Sequence, residues 1–170
     1  MLRLEYRSVD GNDLRQAIGQ DELHLHFQPK VEMRTGRLAG CEALLRWEHP
    51  ARGAVPPGDF IPVAERTGTI RPLTSWVLGA AVVQLAEWRA GGLEFELAVN
   101  LSAADLADPL LPDEVLGLLQ RHAVPASSLV LEVTESTVMR DLTVALAAMQ
   151  RLLQRGIRFA IDDFGTGYSS

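Results

Sequence analysis

The sequence predicts an α/β protein built on a largely parallel sheet, and three observations lead there. From the second strand-like run onward, apolar runs alternate with segments of helical period, an order that calls for right-handed crossovers and parallel strands. The first run joins the second through a short Thr35-Gly36 turn, which reads as a hairpin. Five short segments also deliver acid or amide groups to strand ends: Phe27-Gln28-Pro29, Cys41-Glu42-Ala43-Leu44-Leu45-Arg46-Trp47, Val99-Asn100-Leu101-Ser102, Leu131-Glu132-Val133-Thr134-Glu135 and Ile161-Asp162-Asp163-Phe164-Gly165-Thr166-Gly167. Parallel strands open their C-terminal ends onto one rim, so these groups converge there.

The elements follow in order. Residues 1–12 read as a linker or trimmed upstream segment. Asp13 is expected to cap a helix to about Gln20, with Leu14, Ala17 and Ile18 on one face. Leu23 to Met33 alternates Leu23, Leu25 and Phe27 against His24, His26 and Gln28, the period of a strand, and Leu38 to Trp47 is its hairpin partner. A Pro/Gly-rich loop spans His49 to Asp59. Helices are expected over Asp59 to Arg66 and over Pro72 to Ala90, the latter stopped by Gly91-Gly92. Phe95–Leu101 is a third strand, Leu111–His122 a helix and Leu129–Val133 a fourth strand. Leu142–Gln154 is a helix closed by Gly156, and Ile157–Ile161 a fifth strand.

Composition narrows the function classes. A chain of 170 residues, 47% hydrophobic and 22% charged, holds one good core. A net charge of −6 argues against a surface for nucleic-acid polymers or anionic membranes. No apolar run approaches the roughly 20 residues that span a bilayer, and residues 1–10 lack an apolar signal core. The single cysteine, Cys41, cannot form an internal disulfide, which fits a reducing cytoplasm; its apolar setting reads as a small core residue. Lys30 is the only lysine.

Parity divides the acids. Val130, Glu132 and Thr134 face one side of their strand and Leu131, Val133 and Glu135 the other, so Glu132 can enter the mouth while Glu135 braces a neighbouring loop. Asn100 shares a face with small Ala98. Asp162 and Asp163 reach one site together only where the strand has ended, a departure that Gly165 and Gly167 permit. Taken singly, each of these groups is more simply a solvated charge, cap or turn residue; the combination is what is specific. Oxygen donors without paired Cys or His favour Mg²⁺ or Mn²⁺ over zinc, and two such ions can hold a phosphate and activate water. Arg46, following Glu42, reads as a phosphate clamp. A glycosidase carboxylate pair is disfavoured, since 6% aromatic content offers few sugar platforms.

Glu42-Ala43-Leu44-Leu45-Arg46-Trp47 resembles the signature of EAL domains, the bacterial phosphodiesterases of cyclic di-GMP. Phe27-Gln28-Pro29, Phe60-Ile61-Pro62-Val63-Ala64-Glu65, Val99 to Ser102, Leu131 to Glu135 and Asp162 to Ser170 are similar too, and occur in family order. The resemblance implies a partial, modified (β/α)₈ TIM-type barrel with its first strand antiparallel and later strands missing. Residues 13–170 would be about two-thirds of such a domain, against the eight strands of closure. It implies hydrolysis of cyclic di-GMP to linear pGpG with Mg²⁺ or Mn²⁺ at a two-metal site. Glu42, Asn100, Glu132, Asp162 and Asp163 are implied metal ligands, Gln28 and Arg46 substrate-binding groups, and Glu135 the support of the loop from Phe164. In such enzymes that loop couples metal binding to dimerisation, which implies a homodimer. The family's catalytic lysine, a further acid and a glutamine would lie beyond Ser170. Lys30 shares the parity of Gln28 but comes from the wrong strand to replace that lysine. Thr69 also departs from the apolar residue more usual there. The alternative expectation is an inactive, truncated module that binds cyclic di-GMP or a protein partner.

Overall fold

The computed structural model describes residues 8–162, and its first element is α1 (Gly11–Gly19). Asp10, not Asp13, caps it. The Asp10 carboxylate accepts from the Asn12 and Asp13 amides, while Asp13 accepts from the Asp10 amide, so the two acids satisfy the orphan donors reciprocally. Val9, within the segment read as linker, is buried.

β1 (Leu23–Val31) and β2 (Leu38–His49) form the expected antiparallel hairpin, with Gln28 opposite Glu42 and Lys30 opposite Gly40. The register shifts between Lys30 and Val31, an irregularity of the kind that re-aims a side chain. The Pro/Gly-rich segment is not all loop: β3 (Gly53–Val55) pairs antiparallel with the end of β2. α2 (Pro57–Thr67) starts earlier than expected, with Pro57 where a helix has no use for an amide donor. α3 (Ile70–Ala90) also starts early and holds Pro72 in its first turn; it ends at Gly91, followed by Gly92 at φ +81°.

Then come β4 (Glu96–Asn100), α4 (Ala103–Leu106), α5 (Leu111–Arg121), a 3₁₀ turn at Ala126–Ser128, β5 (Leu129–Thr134), α6 (Glu135–Arg140), α7 (Leu142–Leu153) and β6 (Arg158–Asp162). The sheet runs β1-β2-β4-β5-β6 with β3 paired to β2 outside that path. β2, β4, β5 and β6 are parallel to one another, and β1 is antiparallel to β2.

Strand parity sorts the side chains as the alternation predicts. Cys41, Ala43, Leu97, Val99, Leu129, Leu131 and Val133 are buried in one cluster with Leu78, Val82 and Leu85 of α3, Val115 of α5 and Leu152 of α7. Each large aliphatic among them contributes about 1.5–3 kcal/mol by leaving water. Burial raises the pKa of the Cys41 thiol, which suits a packing role. A second cluster gathers Trp47, Phe60, Leu14, Leu23 and Leu73 beneath the end of β2. At Gly40 β2 and β4 approach too closely for a side chain, since a Cβ there would stand 2.7 Å from the Glu96 carbonyl oxygen. The opposite face carries Gln28, Glu42, Ala98 and Val130 in one cross-strand row and Asn100, Glu132 and Ala160 in the next. No helix among the described residues is long and apolar enough to cross a membrane.

Candidate active site

Glu42, Asn100 and Glu132 come together on that second face. The Asn100 Nδ2 donates to Glu42 Oε1 at 2.8 Å, which holds the carboxylate by one oxygen. Lys30 Nζ donates to Glu132 Oε1 and lies 3.8 Å from Glu42 Oε2. The Lys30–Glu132 pair spans 102 residues of sequence and crosses the sheet from β1 to β5, past β2 and β4. At a strand spacing of about 4.8 Å a flat sheet would hold those strands about 14 Å apart. The contact therefore reports that the sheet curls, with this face concave as in a barrel.

Glu132 is only 7% exposed, so its charge needs a partner, and Lys30 supplies one. Asp162 ends β6 opposite Thr134, on the face of Glu132 and exposed to solvent. Gln28 is exposed and directly opposite Glu42. Glu135 opens α6, half-buried, where the strand has given way to helix. Asp163 and the loop from Phe164 lie outside the described residues. Among the described residues no three His, Cys, Asp or Glu side chains form a metal-holding group. The donor chemistry nonetheless fits a hard cation: the described groups offer oxygen ligands, and the space between the two glutamates already accommodates a positive charge.

Arg46 is half-buried, its Nη1 donating to the Leu45 carbonyl at 2.9 Å. It lines a cavity of about 540 Å³ that shares Asn100 with the carboxylate cluster but is not lined by Glu42, Glu132 or Asp162; its polar wall includes Glu65 and Arg140 and its apolar wall Ile61, Leu73 and Val77. That volume is in the range of small-molecule sites. Sequence reasoning gave no role to Arg140 or to the contact of Lys30 with both glutamates. The signal for Lys30 was its parity with Gln28; nothing local marks Arg140.

Asp105 was also missed. It is 2% exposed, and its Oδ2 accepts from the Ser102 amide at 2.8 Å, the Ser102 hydroxyl at 2.7 Å and the Thr74 hydroxyl at 3.0 Å. This ties the loop after Asn100 to α3. Burial raises the carboxyl's pKa, opposed by the Ser102 and Thr74 hydrogen bonds and by the Arg71 charge. A raised folded-state value means stability that is complete below the ordinary carboxylate value and declines as pH rises through the raised one. Urea titrations from about pH 4 upward are therefore expected to show wild type losing stability relative to Asp105→Asn as pH increases.

Residues 11–170 match the EAL domain family. The bifunctional diguanylate cyclase/cyclic di-GMP phosphodiesterase MucR of Pseudomonas aeruginosa is 49% identical over 160 residues, which are 94% of this chain and 23% of MucR. The cyclic di-GMP phosphodiesterase PdeR of Escherichia coli is 42% identical over 166 residues, 98% of this chain and 25% of PdeR. The chain thus spans about a quarter of the length of these curated relatives. Among solved structures, the PaMucR phosphodiesterase in complex with c-di-GMP aligns with a TM-score of 0.88 at 49% identity, over 94% of this chain and 65% of that one. The FimX EAL domain of Pseudomonas aeruginosa bound to c-di-GMP aligns with a TM-score of 0.84 at 30% identity, over 92% of this chain and 63% of that one. Two carboxylates and an amide on adjacent strands of a curled sheet, in the family's own motifs and order, agree with that match: the chain belongs to the EAL domain family.

Proposed function

We propose that this chain carries the metal- and ligand-binding part of a phosphodiesterase that hydrolyses cyclic di-GMP to linear pGpG. The observation that carries the reading is the meeting of Glu42, Asn100 and Glu132 on one concave face beside a cavity that Arg46 lines. Glu42, Asn100, Glu132, Asp162 and Asp163 would hold Mg²⁺ or Mn²⁺, as a two-metal site. When bound, the metal supplies Lewis-acid charge and a more acidic water. Asn100 orients Glu42 through its amide. Gln28 reaches the ligand from β1, and Arg46 meets a phosphate with its planar fork. Ile61, Leu73 and Val77 give the bases an apolar wall that excludes water. Glu135 braces the loop from Phe164, through which two copies pair. Residues 13–170 form the barrel portion, working in the cytoplasm on a free dinucleotide rather than a nucleic-acid polymer.

Arg46 provides the test of the ligand assignment. In equilibrium binding of cyclic di-GMP, Arg46→Ala is expected to weaken affinity about tenfold or more, the loss of a charge-assisted hydrogen bond of about 1.5–3 kcal/mol. Unchanged affinity would remove Arg46 from the ligand site.

A further inference from the structure

We propose that Lys30 is an internal counterion: it occupies the space between Glu42 and Glu132 in the absence of metal, and yields its place when the metal binds. The inference rests on the metal assignment above and adds to it a residue that assignment does not use.

Three features of the molecule carry it. Glu132 is nearly buried, and its carboxylate accepts from the Lys30 ammonium. The same ammonium stands 3.8 Å from the Glu42 oxygen opposite the one that Asn100 holds, so a single cation bridges two carboxylates that would otherwise repel. Lys30 is also built to leave. Its side chain is 43% exposed against 9% for that of Glu132, it projects from the irregular end of β1, and its partner across the hairpin is Gly40, which has no side chain to confine it. An ammonium offers one charge and three donors, whereas a divalent ion offers two charges and binds several oxygens at once. With a divalent ion held by the two glutamates, Lys30 would give up its place between them and swing toward solvent.

Because Lys30 is the only lysine, ¹³C- and ¹⁵N-labelled lysine reports on it alone by NMR, without mutation. In metal-free protein the side-chain signal is expected at an ion-paired position. Saturating Mg²⁺ should move it to that of a solvated lysine, and Glu132→Gln should produce a similar shift without metal. Calorimetry of Mn²⁺ binding supplies the second reading: Lys30→Met, and Lys30→Gln should the first fold poorly, are expected to bind about tenfold more tightly than wild type. Mg²⁺ binding to wild type with no movement of the lysine signal, or variants that bind Mn²⁺ no tighter than wild type, would overturn the counterion role and leave the metal assignment standing. Failure of every protein to bind metal would overturn both.

Discussion

Glu132→Gln is expected to lower metal-dependent hydrolysis of cyclic di-GMP by about a thousandfold, the scale of losing a group that stabilises charge in a dry site. Glutamine keeps the shape of the side chain and removes only its charge. The position is nearly buried in β5, opposite Asn100. Folding should survive. Lys30, relieved of Glu132, is 43% exposed and free to turn to solvent, so no buried charge is stranded. Rate assays beside a melting curve separate the two effects: a large rate loss at nearly unchanged melting temperature is expected. Loss of both together would make Glu132 a structural residue and not a ligand.

Trp47→Ala should have the largest effect on stability, about 3–5 kcal/mol from the cavity and lost transfer energy. The ring is 1% exposed, packs edge-on against Phe60 at 5.5 Å between centroids, and its Nε1 donates to Glu22 Oε2 at 3.0 Å. Removing it also leaves Glu22, 9% exposed, without that donor. Against a typical total of about 5–15 kcal/mol this threatens the fold. Trp47 is the neighbour of Arg46, so the same packing that stabilises the chain fixes where the guanidinium leaves β2. Urea unfolding of Trp47→Ala and Trp47→Phe tests this, with phenylalanine expected to recover much of the loss. A loss below about 1 kcal/mol for the alanine variant would contradict the packing argument.

Much of this was legible in the sequence because strands enforce alternation. The parity of Leu131, Glu132 and Val133 put the glutamate on one face and its neighbours in the core, as the structure has them. Glycines ended α3 and α7 where expected, at Gly91-Gly92 and near Gly156. Three short elements escaped. β3 has too few residues to show a period, and α4 is a single capped turn. α6 reads Glu135-Ser136-Thr137-Val138, β-branched and poor in helix formers, and it forms because the Thr134 hydroxyl accepts from the Thr137 amide at 3.1 Å. At α1 the apolar period gave the helix but not its start, since Asp10 and Asp13 both qualify as caps and only their reciprocal bonds decide. The site divided likewise. Local motif marked Glu42, Asn100 and Glu132, while the contact of Lys30 with Glu132 depends on the curl of four strands, which no local pattern records.

The most direct measurement is product analysis of cyclic di-GMP incubated with purified protein in which this chain supplies the metal- and ligand-binding part of the domain, with and without Mg²⁺, beside Glu42→Ala. Linear pGpG formed only with the metal, and not by the variant, is the result predicted. Intact cyclic di-GMP after long incubation with folded protein that binds it would contradict hydrolysis and establish a binding module instead.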